Sequence, residues 1–271
     1  MQTNIQRVIE IRNVELEGHG EAIRLRLYRS LIEQSVLPII RCFHAGGVTM
    51  GKLKGTHPFR AELATRVRAL VISEDDPTVR EFPFAKPLHD GHLPLRWMVK
   101  NPRVRSADEK RAAAARQDAR DNLAMELATT VRDQTGFRFP AHAQLAQPLD
   151  PRMTRIANLG REKYPDMRAV ECALGCRAYL RIAIHRLHPY AAPIESRRLK
   201  GPPVAFITIS EHDLMHMEAG RYAARLMVSG VSTTVKRYAN VGHKDLLSRQ
   251  EVLADVFAFF SERPGAASEH A

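Results

Sequence analysis

The chain has 271 residues and a net charge of +11, from 41 Lys and Arg against 30 Asp and Glu, and 44% of it is apolar. That size and apolar share suit one large α/β domain or two small ones, with material for a substantial core. No apolar run reaches the length of a membrane span. The basic residues are scattered ("RLRLYR", "RVR", "KNPRVR", "ESRRLK") without interleaved aromatics, so the charge reads as solvated surface rather than a nucleic-acid platform.

The N-terminus "MQTNIQRVIEIRN" has no apolar core behind its basic residue, so no signal peptide is expected and a cytoplasmic protein follows by default. Cys42, Cys172 and Cys176 fit a reducing compartment. Cys172 and Cys176 are one helical turn apart and read as reduced packing residues, with a disulfide as the alternative.

In chain order, "EAIRLRLYR" (21–29) alternates as a half-buried strand does. "LPIIRCF" (37–43) is an apolar run ending at the glycine pair of "HAGGVTMG". A helical pattern covers 57–67, a buried strand follows at 68–75, and further helical patterns cover 88–99, 119–134 and 166–187. "PPVAFITIS" (202–210) is a strand closed by "EHD", then comes a helix at 216–229. "STTVKRYA" (232–239) is a β-branched strand, and 246–262 is helical. The tail "SERPGAASEHA" reads as frayed. Strands alternating with helices predict a mostly parallel sheet covered on both faces, with functional residues at the carboxyl ends of strands.

"FHAGGVTMG" (43–51), "EHD" (211–213) and "VGH" (241–243) together resemble the bacterial hormone-sensitive-lipase-like branch of the α/β-hydrolase fold, from about Val8 to Phe260. "SEDDPTVREFPFAKPLHDGHLPLRWM" is similar to that family's block after its third strand, and residues 188–243 follow its last third. The resemblance implies a single domain over 1–262 with a central sheet of about eight strands. It also implies a reduced helical cap insertion near 145–195, a flexible tail at 263–271 and no cofactor. A small organic molecule is the implied partner, with a homodimer through the last strand and helix. The N-terminus is shorter than the family's, so a thinner lid is expected.

The family's mechanism needs a serine on a strained elbow, a histidine base, an acid that holds the histidine's tautomer, and N–H donors for the oxyanion. The resemblance gives His243 as base, Asp213 as acid, and Gly46, Gly47, Ala119 and His44 as the oxyanion and substrate-binding set, with Ala45 in place of a glycine. The serine is missing. The family's Gly-Asp-Ser-Ala-Gly-Gly becomes Arg116-Gln117-Asp118-Ala119-Arg120-Asp121, so Asp118 stands at the nucleophile position. The chain has eleven serines, none in a Gly-x-Ser-x-Gly context. Asp76, Pro77 and Arg80 are further departures in the block after the third strand.

Taken without the family, "SADEKRAAAARQDARDNLAMELATTVRD" is one long helix, opened by a capping box of Ser106 and Glu109. The family pattern makes "RAAAA" the central strand instead. The strand is the expectation, because without it both neighbouring strands lose their partner.

Two functional classes follow. In the first, the chain is a diverged homologue without serine chemistry: a pseudo-hydrolase, a receptor-like binder, or an enzyme of another reaction type. The His243–Asp213 pair then carries any proton transfer. Non-hydrolytic relatives of this fold make that option real by analogy. In the second, Asp118, His243 and Asp213 form a triad similar to that of dehalogenases and epoxide hydrolases, with Asp118 as nucleophile. Against the second, a carboxylate near His243 favours the imidazolium and weakens it as a base. The alternative for Asp118 is a drifted residue paired with Arg116, Arg120 or His243. His212 and His216, spaced i, i+4, are a possible metal face on the helix after the seventh strand, but two ligands are too few and surface histidines are the expectation, so no metal is predicted. The pairs His185 with His188 and His89 with His92 read the same way. Met153, Met167, Tyr179, Leu180, Ile184 and Leu187 form an apolar stripe that either lines a pocket or belongs to the core.

Overall fold

The computed structural model describes residues 8–18, 22–32, 36–43, 57–75, 84, 93–94, 97, 101, 107–117, 139–145, 173–174, 176–178, 180–188, 190–197, 199, 204–243 and 245–262. Its strands are β1 (Ile9–Glu17), β2 (Ala22–Ser30), β3 (Leu37–Phe43), β4 (Leu70–Asp75), β5 (Ala107–Gln117), β6 (Ala141–Leu145), β7 (Val204–His212) and β8 (Thr233–Gly242). They form one sheet in the order β1-β2-β4-β3-β5-β6-β7-β8. β2 runs antiparallel to both β1 and β4. From β4 onward every neighbouring pair is parallel. This is the eight-stranded, mostly parallel sheet that the family resemblance implies.

Parallel strands need crossover connections, and helices pack on both faces. Helices α1 (His57–Val67) and α3 (Gln250–Glu262) cover one face, where Phe59 stacks on Phe257 at 6.1 Å. Their core takes Ile40, Val71, Ala113, Ala115 and Phe206 from the sheet. Helix α2 (His216–Val228) covers the other face, with Ala219, Tyr222 and Leu226 against Ala205, Ile207 and Ile209. Further along that face, Leu93 and Trp97 pack on Leu25, Leu27, Ile39, Ile72, Ala112 and Ala114. Among the described residues no helix is long and apolar enough to cross a membrane.

The alanine run decides the local conflict in favour of the strand. Residues 107–117 form β5, paired with β3 on one side and β6 on the other. The helix begun by a Ser106–Glu109 capping box does not form there. Helix propensity favours alanine by less than about 1 kcal/mol per residue over ordinary residues, whereas a central strand satisfies its backbone on two sides. Ala112 and Ala114 enter the core under Trp97, and Ala113 and Ala115 enter the core under α1 and α3. All four are at most 2% exposed. Small side chains therefore serve both faces at once, and packing overrides the intrinsic preference.

Two strands lie where no individual strand is expected from the sequence. β1 is an edge strand, mostly exposed, and its run IEIRNVELE shifts phase in the middle. β6 is five residues, AHAQL, all buried. Its polar His142 and Gln144 mask a fully interior strand. The pattern expected as one helix over 166–187 is divided. Residues 173–174 and 176–178 are helical, whereas Ala183–Leu187 is a separate 3-10 turn. The predicted helix at 246–262 is likewise divided, into a 3-10 turn at Leu246–Ser248 followed by α3.

Candidate active site

The carboxyl ends of β7 and β8 bring together the acid and the base expected from the sequence. Asp213 follows the last residue of β7, and His243 follows the last residue of β8. His243 Nδ1–H donates to Asp213 Oδ2 at 2.9 Å. Their side chains are 10% and 2% exposed. A carboxylate can only accept, so this bond fixes the proton on Nδ1 and leaves Nε2 as the basic nitrogen facing away from Asp213.

Asp213 is itself held. Its Oδ1 accepts the Met215 backbone N–H at 2.9 Å, an Asx-type turn that leads into α2. Its backbone N–H donates to Ser210 O at 3.2 Å, and its carbonyl accepts the His216 backbone N–H at 3.1 Å. The His216 ring adds a bond from Nδ1 to the same carbonyl at 2.9 Å. The amino end of α2, with its partial positive charge, begins three residues on. The carboxylate is thus ordered on both oxygens before any ligand arrives.

His243 is placed by an irregularity in β8. Ser210 pairs with Tyr238 but His212 pairs with Gly242, so β8 carries two extra residues between these rungs. Asn240 takes the left-handed conformation there, φ 54°, which asparagine tolerates better than most residues. Its backbone N–H donates to the Glu211 carboxylate at 2.9 Å. Glu211 and Asn240 are therefore supporting residues that sequence reasoning does not single out. The motif "EHD" contains the first, but its role depends on register.

The i, i+4 metal face does not exist. His212 is the last residue of β7 and α2 begins only at His216, so the two histidines do not share a helix. The His216 ring is engaged with the Asp213 carbonyl. Among the described residues no cluster of three or more His, Cys, Asp or Glu is arranged to hold a metal. The apolar stripe also separates. Leu180 is buried against Phe84, Ala178, Tyr190 and Ala191, whereas Ile184 and Leu187 are 68% and 62% exposed. Met153, Met167 and Tyr179 lie outside the described residues, as do Cys172, His89 and His92.

His44, Gly46, Gly47, Asp118 and Ala119 also lie outside the described residues. β3 ends at Phe43, the residue before His44, and β5 ends at Gln117, the residue before Asp118. Cys42, one residue before the end of β3, is buried, as is Cys176, and neither is in a disulfide. Burial pushes the Cys42 thiol up to about 12, against an opposing pull from Arg60.

An eight-stranded sheet in this order, with a histidine–carboxylate pair at the carboxyl ends of its last two strands, defines an α/β hydrolase. The alpha/beta hydrolase fold family model matches residues 40–247, and the chain belongs to that family, in its hormone-sensitive-lipase-like branch. Among curated proteins it is similar to carboxylesterase NlhH of Mycobacterium tuberculosis, 27% identical over 241 residues, 87% of this chain and 74% of that one. It is also similar to an arylesterase of Saccharolobus solfataricus, 23% identical over 229 residues, 83% of this chain and 73% of that one. Among solved structures, a hyperthermophilic esterase from the archaeon Pyrobaculum calidifontis shares the fold with a TM-score of 0.84 at 24% identity, covering 93% of this chain and 85% of that chain. A thermostable esterase from Pseudomonas putida shares it at 0.80 and 20% identity, with 96% and 85% covered.

Proposed function

We propose that this chain is a member of the esterase-like hydrolase family without serine chemistry. It holds a small organic molecule at the carboxyl end of the sheet and uses His243, oriented by Asp213, as its proton-transfer group. The observation that carries this reading is the contrast between two positions. His243 Nδ1 lies 2.9 Å from Asp213 Oδ2, yet the residue that follows the central strand β5 is Asp118, where the family pattern has serine. A histidine whose tautomer is fixed by its carboxylate can take a proton from a bound molecule at Nε2 and return it elsewhere, with no covalent intermediate. The resemblance assigns Gly46 and Gly47 to the oxygen that gains charge in such a step. The cap segment near 145–195 and the His44 and Ala119 positions complete the enclosure on this reading.

Labelling with a fluorophosphonate, followed by intact-mass measurement, tests the absence of an activated serine. The expected result is no adduct. One adduct per chain, lost in His243→Ala, contradicts it.

A second reading is favoured by one feature: β5 is a strand between β3 and β6 that ends directly before Asp118. There the Asp118 carboxylate attacks carbon and the leaving group departs with the bonding pair. Water deprotonated by His243 then cleaves the resulting ester at its carbonyl. A single turnover in ¹⁸O water places label in the Asp118 carboxylate if this occurs, and turnover without label excludes it.

A further inference from the structure

A cavity of about 200 Å³ opens at the end of the sheet farthest from His243. Its floor is Leu27 and Leu70, 7% and 3% exposed, and Trp97 packs on the same apolar cluster. Leu70 is the first residue of β4, whereas Asp213 and His243 follow the last residues of β7 and β8. All strands except β2 run in one direction, so the cavity and the acid–base pair occupy opposite ends. The cavity's face is the one away from α1 and α3.

Register explains which side chains meet there. Across β1 and β2, Glu10 stands opposite Arg29 and Arg12 opposite Leu27. Across β2 and β4, Arg29 stands opposite Leu70. Cross-strand partners share a face, so two guanidinium groups and one carboxylate rim an apolar floor. Asn101 closes the rim, its backbone N–H bonded to Trp97 O at 2.9 Å.

The charges at the rim sum to +1, which favours an anion. Guanidinium forks suit a planar carboxylate in particular. The volume equals about seven waters at roughly 30 Å³ each, room for a single ring rather than an extended chain. Glu10 and Arg12 are exposed on the edge strand, where they contribute nothing to the core.

The geometry points to a second binding site, separate from His243, for a small monocarboxylate with an aromatic or compact apolar body. The carboxylate lies between Arg12 and Arg29, and the apolar body rests on Trp97, Leu27 and Leu70. Nothing in this assignment depends on the chemistry at His243 or Asp118.

The chain has one tryptophan, so Trp97 emission reports on this cavity alone. Benzoate, benzyl alcohol and benzylamine are titrated into the full chain at matched ionic strength. Benzoate is expected to shift the emission saturably, with the alcohol and the amine at least ten-fold weaker. Arg12→Gln is expected to weaken benzoate at least ten-fold, Glu10→Gln to tighten it, and His243→Ala to leave it unchanged. Both rim variants are at exposed positions, and a thermal melt confirms that each is folded. No saturable shift, an equal response to all three probes, an unaltered Arg12→Gln, or loss of the response in His243→Ala each overturns the assignment.

Discussion

His243 Nδ1 and Asp213 Oδ2 are 2.9 Å apart although 30 residues separate them in the chain. The separation spans α2 and the whole of β8, so their meeting is a product of the parallel crossover and not of local sequence. A buried carboxylate with two ordered oxygens is a rigid acceptor. Asp213→Asn replaces it with an amide that can present its NH₂ to the ring, and the His243 proton then moves to Nε2. Ring ¹⁵N shifts measured by NMR should reveal that exchange of tautomer. Stability should fall by about 1–3 kcal/mol, because a buried donor or acceptor is left poorly matched.

The bulge in β8 makes a separate claim. Asn240 adopts φ 54° and is tied to Glu211. Asn240→Val should cost about 1–2 kcal/mol from the left-handed backbone alone, and Asn240→Gly should cost little. If the bulge also sets His243, the valine variant should broaden the His243 ring resonances while Asn240→Gly leaves them sharp. Equal effects of both substitutions would detach the bulge from the site.

The alanines of β5 fill space that larger residues cannot occupy. Ala113 is 0% exposed, in the core beneath α1 and α3. Ala113→Leu should destabilise the chain by about 1–3 kcal/mol through overpacking, read as a lowered urea midpoint. An increase in stability would mean that the sheet and its helices leave room there.

Cys42 ties stability to alkaline pH. Its thiol is raised from an ordinary 9.0 to about 12, chiefly by burial. A folded-state value above the unfolded one means the contribution is fully present below about pH 9 and is lost as pH rises from there toward 12. Denaturation midpoints should therefore decline through that interval, and more shallowly in Cys42→Ala. At pH 8 the folded chain should leave Cys42 and Cys176 unmodified by iodoacetamide, with peptide mass spectrometry as the readout, because both are buried.

Much of the frame is legible from residue pattern. β3 at 37–43 and α1 at 57–67 coincide with their sequence expectations, since one is a continuous apolar run and the other has clear helical spacing. β5 is legible only through its neighbours, because an isolated alanine run prefers helix. β6 is hidden, because His142 and Gln144 interrupt the apolar signature of an interior strand. At the site, the pair His243 and Asp213 is legible from "EHD" and "VGH". The supports from Met215, His216, Glu211 and Asn240 are not, because each depends on how a turn or a bulge closes in space. The supposed histidine face failed for the same reason: spacing of four means one face only inside a helix, and β7 continues through His212.

The central proposal is that His243 and Asp213 act here without the serine chemistry that the family resemblance implies. Hydrolysis of p-nitrophenyl acetate and butyrate by the wild type, His243→Ala and Asp118→Ser tests it most directly. The account predicts no rate above buffer for the wild type, no change in His243→Ala, and no restoration in Asp118→Ser alone, because Arg116 and Arg120 replace the small residues that flank the family's serine. A measurable wild-type rate that disappears in His243→Ala would contradict it.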